Sequence, residues 1–277
     1  MWKWLVAALV VGVIGVAWLS RWIDKRKLRY KRHEILDFGS VYADAKTGDI
    51  LLFHKTNRSG LLDTLELDVL SPMLFDENEF RHSGIILREN DELFVVECAD
   101  EFHSGHSDAK YLTAGNGIRM VPLETLLDAY NRDNGDPHFG IRHISREIPA
   151  QQVYSSLEQY GAVDYLKVHK SAGVFLSHAL LPDSLHLRVV DALKNEMMCS
   201  EFVHSLLNRC GVLKDYPSKV FAPYYLEDPA VFKELEIVSY SDIVRFRYTG
   251  PRSESVSGSP TVGSRAPGQR SAVGRPE

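Results

Sequence analysis

The sequence predicts an α+β fold, a small antiparallel sheet packed against helices. Two observations carry this reading. Short apolar runs interleave along the chain with stretches at helical spacing. The strand pairs among them are hairpin-like, which favours an antiparallel sheet with segregated helices. A third bounds the size: 277 residues, 44% hydrophobic and 25% charged, suit one globular domain with appendages.

Taken in order, "TGDILLFHK" reads as a turn and a short buried strand over 49–54. "GLLDTLELDVLSPM" has helical spacing at Leu62, Leu65 and Val69, with Pro72 as a stop. "RHSGIILRENDELFVVECAD" is two apolar runs around a polar turn, a hairpin. "GNGIRMVPLETLLDAY" reads as a strand and then a helix opened by Pro122. "HFGIRHI" is a further strand, and residues 149–160 and 185–210 read as helices. "VDYLKVHKSAGVFLSHALL" also reads as helical. "FAPYYLEDPAVFKEL" restarts a helix after a proline, and "SDIVRFRY" is a last strand. There is no internal repeat.

Three regions follow: an anchor with a basic flank (1–33), a folded body (34–249) and a disordered tail (250–277). "WLVAALVVGVIGVAWLSRWI", Trp4 to Ile23, carries only Arg21 as a charge. About 20 apolar residues suffice to cross a bilayer. Trp2, Trp4, Trp18 and Trp22 sit near its ends, as interfacial aromatics do. A cleavable signal peptide is the rival reading, but only Lys3 precedes the run and no Ala-x-Ala follows. The flank "RWIDKRKLRYKRH" places the body on the cytoplasmic side by the positive-inside rule and would hold anionic headgroups. With eight basic side chains and one acidic in residues 1–33, a net charge of −5 for the whole chain leaves the body acidic. That argues against nucleic-acid binding. The tail is rich in Ser, Gly, Pro and Arg and has too little apolar surface to order itself.

Three cysteines, Cys98, Cys199 and Cys210, do not make a disulfide framework. Cys199 and Cys210 are about three helical turns apart, ~16 Å, too far to bond. The count fits a reducing compartment. In "NEMMCSEFVHSLLNRCG", Phe202, Val203, Leu206, Leu207 and Cys210 mark a buried helical face, and Glu201, Ser205, Asn208 and Arg209 a wet one. Gly211 follows as a stop. Cys199 points with the buried stripe at the first turn, where free N–H groups and the helix dipole favour a thiolate. Its alternative is a small buried hydrophobe. A partner base decides between them.

His82 is the candidate base. It opens the strand "HSGIIL", sharing a face with Gly84 and Ile86. With Asn90–Asp91 at the centre of the turn, Glu89 opposes Glu92, Leu87 opposes Phe94 and Gly84 opposes Glu97. Glu97 then lies on the His82 face, one diagonal step away. A carboxylate inside "LFVVECA" is costly to bury without a partner. The alternative is a solvent-facing Glu97 and a His82 that only caps the strand.

The ordered set "GDILLF", "RHSGIIL", "FVVECA" and "MMCSEFVHSLL" resembles the circularly permuted NlpC-like, papain-fold cysteine hydrolases, especially the YiiX/YebB-like group. The resemblance covers roughly residues 46–230. It implies Cys199 as nucleophile, His82 as general base and Glu97 as the orienter of His82, with no metal or cofactor. Lecithin:retinol acyltransferase is a relative of that class, and its nucleophile segment also reads Cys, two residues, Phe-Val. Ser83 departs from the aromatic expected beside the histidine of the acyltransferases.

Other histidines have blander readings. His103, His106 and Asp108 in "EFHSGHSD" have a metal-capable spacing but no adjacent fourth ligand, so a solvated loop is expected. His54 reads as core or rim, His204 as surface, and Cys98 as core. The leading function is a membrane-anchored cysteine hydrolase cutting an amide or ester through a Cys199 thioacyl intermediate, with a peptide or lipid acyl substrate. Its rivals are a lipid acyltransferase on the same dyad and a catalytically silent binding scaffold.

Overall fold

The computed structural model describes residues 35–54, 80–99, 109–113, 117–134, 138–166, 170, 173–174, 177, 182–216, 221 and 223–250. The expected anchor and basic flank, the helix over Leu62–Val69, the His103–His106 loop and the tail beyond Gly250 lie outside the described residues. Among the described residues, no helix is long and apolar enough to cross a membrane.

The strands are β1 (Ile35–Asp37), β2 (Ile50–Phe53), β3 (His82–Glu89), β4 (Glu92–Cys98), β5 (Lys110–Tyr111), β6 (Ile118–Pro122), β7 (His138–Arg142), β8 (Asp164–Tyr165), β9 (Glu196–Met197) and β10 (Val244–Arg247). The helices are α1 (Phe38–Asp44), α2 (Leu123–Asn134), α3 (Ala150–Leu157), α4 (Asp183–Ala192), α5 (Cys199–Arg209), α6 (Tyr224–Glu227) and α7 (Pro229–Leu235).

The fold is α+β, but its sheet is larger than the sequence predicts. Eight strands run in the order β1-β10-β7-β2-β3-β4-β6-β5. Only the β1–β10 pair is parallel. The unforeseen strands β1 and β5 have three and two residues, too few to show a period of two. The separate pair β8–β9 is parallel and equally short. β8 replaces the start of the expected helix at Val163, though Lys170, Gly173, Val174 and Ser177 are helical. The helical stretch 185–210 is two helices, α4 and α5, parted by a turn and β9, and Cys199 stands at the first turn of α5 as expected.

The central hairpin has the foreseen register. Glu89 pairs with Glu92, Leu87 with Phe94 and Gly84 with Glu97. Asn90 (φ 50°) and Asp91 (φ 66°) hold the left-handed conformations of a two-residue turn, which Asn and Asp tolerate best among non-glycines.

Both faces of the sheet are covered, so its strands read as near-continuous apolar runs. One face sets Ile50, Leu52, Ile85, Leu87, Val96 and Cys98 against Phe202, Val203, Leu206 and Leu207 of α5. The other sets Leu51, Phe53, Ile86 and Val95 against Phe38 of α1 and Leu126 and Leu127 of α2. Each such side chain contributes about 1.5–3 kcal/mol by burial. α5 ends where expected. Gly211 (φ 70°) donates its N–H to Asn208 O at 2.8 Å, and Val212 to Leu207 O at 3.0 Å. This Schellman closure satisfies the last carbonyls and turns the chain back on the core.

Candidate active site

Cys199 is the first residue of α5, and three bonds fix the segment before it. Asp164 N donates to Asn195 O at 3.0 Å, Leu166 N to Met197 O at 2.9 Å, and the Cys98 thiol to the same carbonyl at 3.3 Å. Met198 occupies the N-cap in an extended conformation and offers no side-chain oxygen to the first turn. The carboxylate of Glu201 reaches back as in a capping box, accepting from Met198 N at 3.3 Å. Glu201 is therefore buried, not on the wet face the helical pattern gave it. The foremost N–H groups of α5 receive no cap from Met198 and stand at the positive end of the helix dipole beside the thiol.

His82 and Glu97 meet as the register requires. His82 Nε2 and Glu97 Oε2 are 2.6 Å apart, and both residues are buried. Behind them is a residue the sequence reading missed. Arg119, from β6, donates to Glu97 Oε1 through Nε at 2.9 Å and Nη2 at 2.6 Å. It lies directly opposite Glu97 in the β4–β6 ladder and is 1% exposed. The signal was present: an arginine between Ile118 and Met120 in a strand read as apolar needs a buried anion. The His82 ring lies near Phe53, at 5.2 Å between centroids, and stacks on Tyr130 of α2 at 6.1 Å and 17°.

Strand alternation puts His82, Glu97 and Arg119 on the α2 face, whereas α5 packs on the opposite face. The meeting point is a wedge in the sheet. The β3–β4 ladder stops at Gly84–Glu97, although β3 stays paired with β2 through His82–Phe53, and β4 with β6 through Cys98–Ile118. The two strands thus part at Ser83 and Cys98, and the Cys199 thiol meets Ser83 and the His82 imidazole there.

The electrostatics separate the three thiols. Burial would raise the Cys199 thiol, but hydrogen bonding and the charge of His82, with further bonds from Ser83, hold it below the ordinary cysteine value. Burial would lower His82, but the charges of Cys199 and Glu97 lift it from 6.5 to about 9. Burial would raise Glu97, but His82 and Arg119 hold it at about 2. These directions describe a thiolate–imidazolium pair backed by a carboxylate and a guanidinium. Since Nε2 of His82 is taken by Glu97, the contact with the thiol falls to Nδ1. Burial raises Cys98 well above the usual thiol range, and the Cys199 charge adds to it. Burial also raises Cys210.

The other candidates are structural or lie elsewhere. Cys98 and Cys210 are core residues, as read. His204 is buried, not on the surface. Its Nε2 donates to Lys214 O at 2.9 Å and its ring stacks on Phe221 at 4.5 Å, because the chain after α5 folds over this polar-looking face. His54 is half-buried and stacks on His138 at 4.3 Å. A second histidine–carboxylate pair, His143 Nδ1 to Asp49 Oδ2 at 2.8 Å, is a clamp between β2 and β7, since Asp49 also accepts from Ile144 N at 2.8 Å and Lys46 N at 3.0 Å. Among the described residues, no group of three or more His, Cys, Asp or Glu side chains is placed to hold a metal ion.

No family model matches the chain. Among curated proteins, "Uncharacterized protein R372" of Acanthamoeba polyphaga mimivirus is 34% identical over 221 residues, which are 77% of this chain and 86% of the viral one. Among solved structures, "metalloprotein yiiX from Escherichia coli O157:H7" aligns over 75% of this chain and 99% of its own, at 15% identity and a TM-score of 0.36.

Proposed function

We propose the following for this chain, which belongs to the family of the mimivirus protein: it is a cysteine hydrolase of the permuted papain-like kind, acting on an amide or ester. One observation carries the reading. A buried file of Cys199, His82, Glu97 and Arg119 holds the thiol below its ordinary pKa and the imidazole above its own. A file serving stability alone has no use for a thiol whose charged form is favoured.

The Cys199 thiolate attacks the carbonyl carbon, and the C=O electron pair moves onto oxygen. The N–H groups at the start of α5 are the donors nearest that oxyanion. When the tetrahedral intermediate collapses, the bond to the leaving amine or alcohol breaks and the His82 imidazolium gives that group its proton. The thioester remains on Cys199. Neutral His82 then takes a proton from water, whose oxygen attacks the thioester. The second collapse releases the acid and restores the thiolate–imidazolium pair. Glu97 keeps the imidazole oriented and stabilises its charged form, and Arg119 keeps Glu97 ionised.

The apolar run and basic flank of residues 1–33 support an anchor holding this body at the cytoplasmic face of a membrane. Deletion of 1–33 then releases the protein into the soluble fraction, whereas the full chain survives an alkaline wash of the membranes.

The test of the chemistry is alkylation of Cys199 by iodoacetamide at pH 7. Labelling well above the rate of glutathione, lost in His82→Ala, supports the reading. Labelling at the glutathione rate and indifferent to His82 replaces it with a binding scaffold. Trapping a thioester on Cys199 and weighing it by mass spectrometry then names the acyl group. Products formed with and without added alcohol or amine separate hydrolysis from acyl transfer.

A further inference from the structure

The hydroxyl of Ser83 is buried, and among the described residues it has no hydrogen-bond partner. A buried hydroxyl left in that state is destabilising, so its place needs a reason. The wedge supplies one. Ser83 is the first residue of β3 beyond its ladder with β4. Its side chain leaves the strand on the face where α5 packs, opposite to His82. There it meets the Cys199 thiol, which the Ser83 hydroxyl and the Ser83 N–H both favour in its charged form.

We propose that Ser83 is a further catalytic residue, whose hydroxyl donates a hydrogen bond to the Cys199 thiolate within the wedge between β3 and β4. His82 approaches the sulfur from one side of the sheet and Ser83 from the other. A neutral thiol is a poor acceptor, so the bond has weight only with the thiolate. The bond closes when the sulfur is charged. The cost of burying the hydroxyl is thereby turned into a preference for the reactive form of Cys199. Thr is the only other standard side chain with an aliphatic hydroxyl on the same carbon.

The proposal rests on the hydrolase reading, and one experiment separates the two. The rate of Cys199 alkylation by iodoacetamide is measured against pH for the full chain, Ser83→Ala, Ser83→Thr and His82→Ala, with thermal melting of each. In Ser83→Ala the acidic limb moves up by about one pH unit, a tenfold slower rate below the midpoint, and the rates converge in alkali. Melting is unchanged or higher, because an unpartnered hydroxyl has been removed. Ser83→Thr keeps the wild-type limb. If Ser83→Ala leaves the limb in place while His82→Ala abolishes fast labelling, the Ser83 proposal fails and the hydrolase reading stands. If Ser83→Ala melts lower or does not fold, the hydroxyl serves structure and the proposal also fails. If the wild-type thiol is no faster than glutathione, both fail together.

Discussion

Glu97 stands one diagonal step from His82 across the β3–β4 hairpin, with Oε2 2.6 Å from Nε2 and both side chains buried. The distance follows from a two-residue turn, because an added or deleted residue at Asn90–Asp91 would send Glu97 to the other face. Glu97→Gln keeps an acceptor for the imidazole N–H but removes the charge that holds the proton on the ring. Cys199 alkylation at pH 7 is expected to slow in Glu97→Gln and to slow further in His82→Ala, with Cys199→Ser unlabelled at this site. Turnover falls in the same order, Cys199→Ser and His82→Ala together and Glu97→Gln less, because groups acting as a unit do not lose activity additively. Equal rates in Glu97→Gln and wild type would remove Glu97 from the mechanism.

Arg119 neutralises a carboxylate that is 0% exposed. Removing one partner of a buried pair strands the other charge, at a cost of about 3–5 kcal/mol. Arg119→Met is therefore expected to lower the urea-unfolding free energy by that amount. Arg119→Lys recovers part of it, since an ammonium supplies charge but not the two-pronged donation through Nε and Nη2. A loss below about 1 kcal/mol in Arg119→Met would show that the guanidinium is not what keeps Glu97 ionised.

Stability should depend on pH from both sides. His82 titrates near 9 in the folded chain against an ordinary 6.5, so its contribution is whole below pH 6.5 and lost as pH rises through 9. Glu97 titrates near 2 against an ordinary 4.5, so its contribution is whole above pH 4.5 and lost as pH falls through 2. From these two groups, the urea midpoint should form a plateau between about 4.5 and 6.5 and decline on each side. In His82→Ala the decline between 6.5 and 9 should flatten. An unchanged alkaline slope in that variant would assign it to other groups.

Cys98 and Cys210 lie in the same core as α5 but are held as neutral thiols by burial. Cys98→Ser keeps a donor for Met197 O, and Cys210→Ser keeps a partner for Ser156. Both variants should retain fast Cys199 labelling and lose stability at most. Loss of labelling in Cys98→Ser, with the fold intact, would show that the Met197 contact positions Cys199.

What the sequence made legible was local. The His82–Glu97 relation needs only the alternation of two strands and the turn between them, and both are written in twenty consecutive residues. Cys199 at a helix start needs only one amphipathic stripe. Arg119 lies one strand further out, where pairing depends on the path of the chain between Cys98 and Ile118. The approach of His82 and Cys199 from opposite faces was illegible for another reason: alternation places a side chain on a face, and only the end of a ladder shows where two faces meet. The buried state of Glu201 and His204 was hidden because helical spacing marks the apolar stripe, while caps and returning chain bury polar residues beside it.

The wedge also makes Gly84 a point of control. It is the last β3 residue paired with β4 and sits opposite Glu97. A Cβ there would lie 2.5 Å from Val95 Cγ1 and 3.2 Å from Val96 O. Val95 is fully buried, so Gly84→Ala forces the strands apart at a cost of about 1–3 kcal/mol. Val95→Ala makes room, so the two changes should couple favourably by about 0.5–3 kcal/mol in a urea-unfolding cycle. The same crowding pushes β4 away from β3 where Glu97 reaches His82. Gly84→Ala is thus expected to slow Cys199 alkylation at pH 7 even in the folded fraction, and Val95→Ala to restore part of the rate. Simple additivity of stability and rate would mean that the hairpin absorbs the methyl group without moving Glu97, and that the close approach at Gly84 does not set the His82–Glu97 contact.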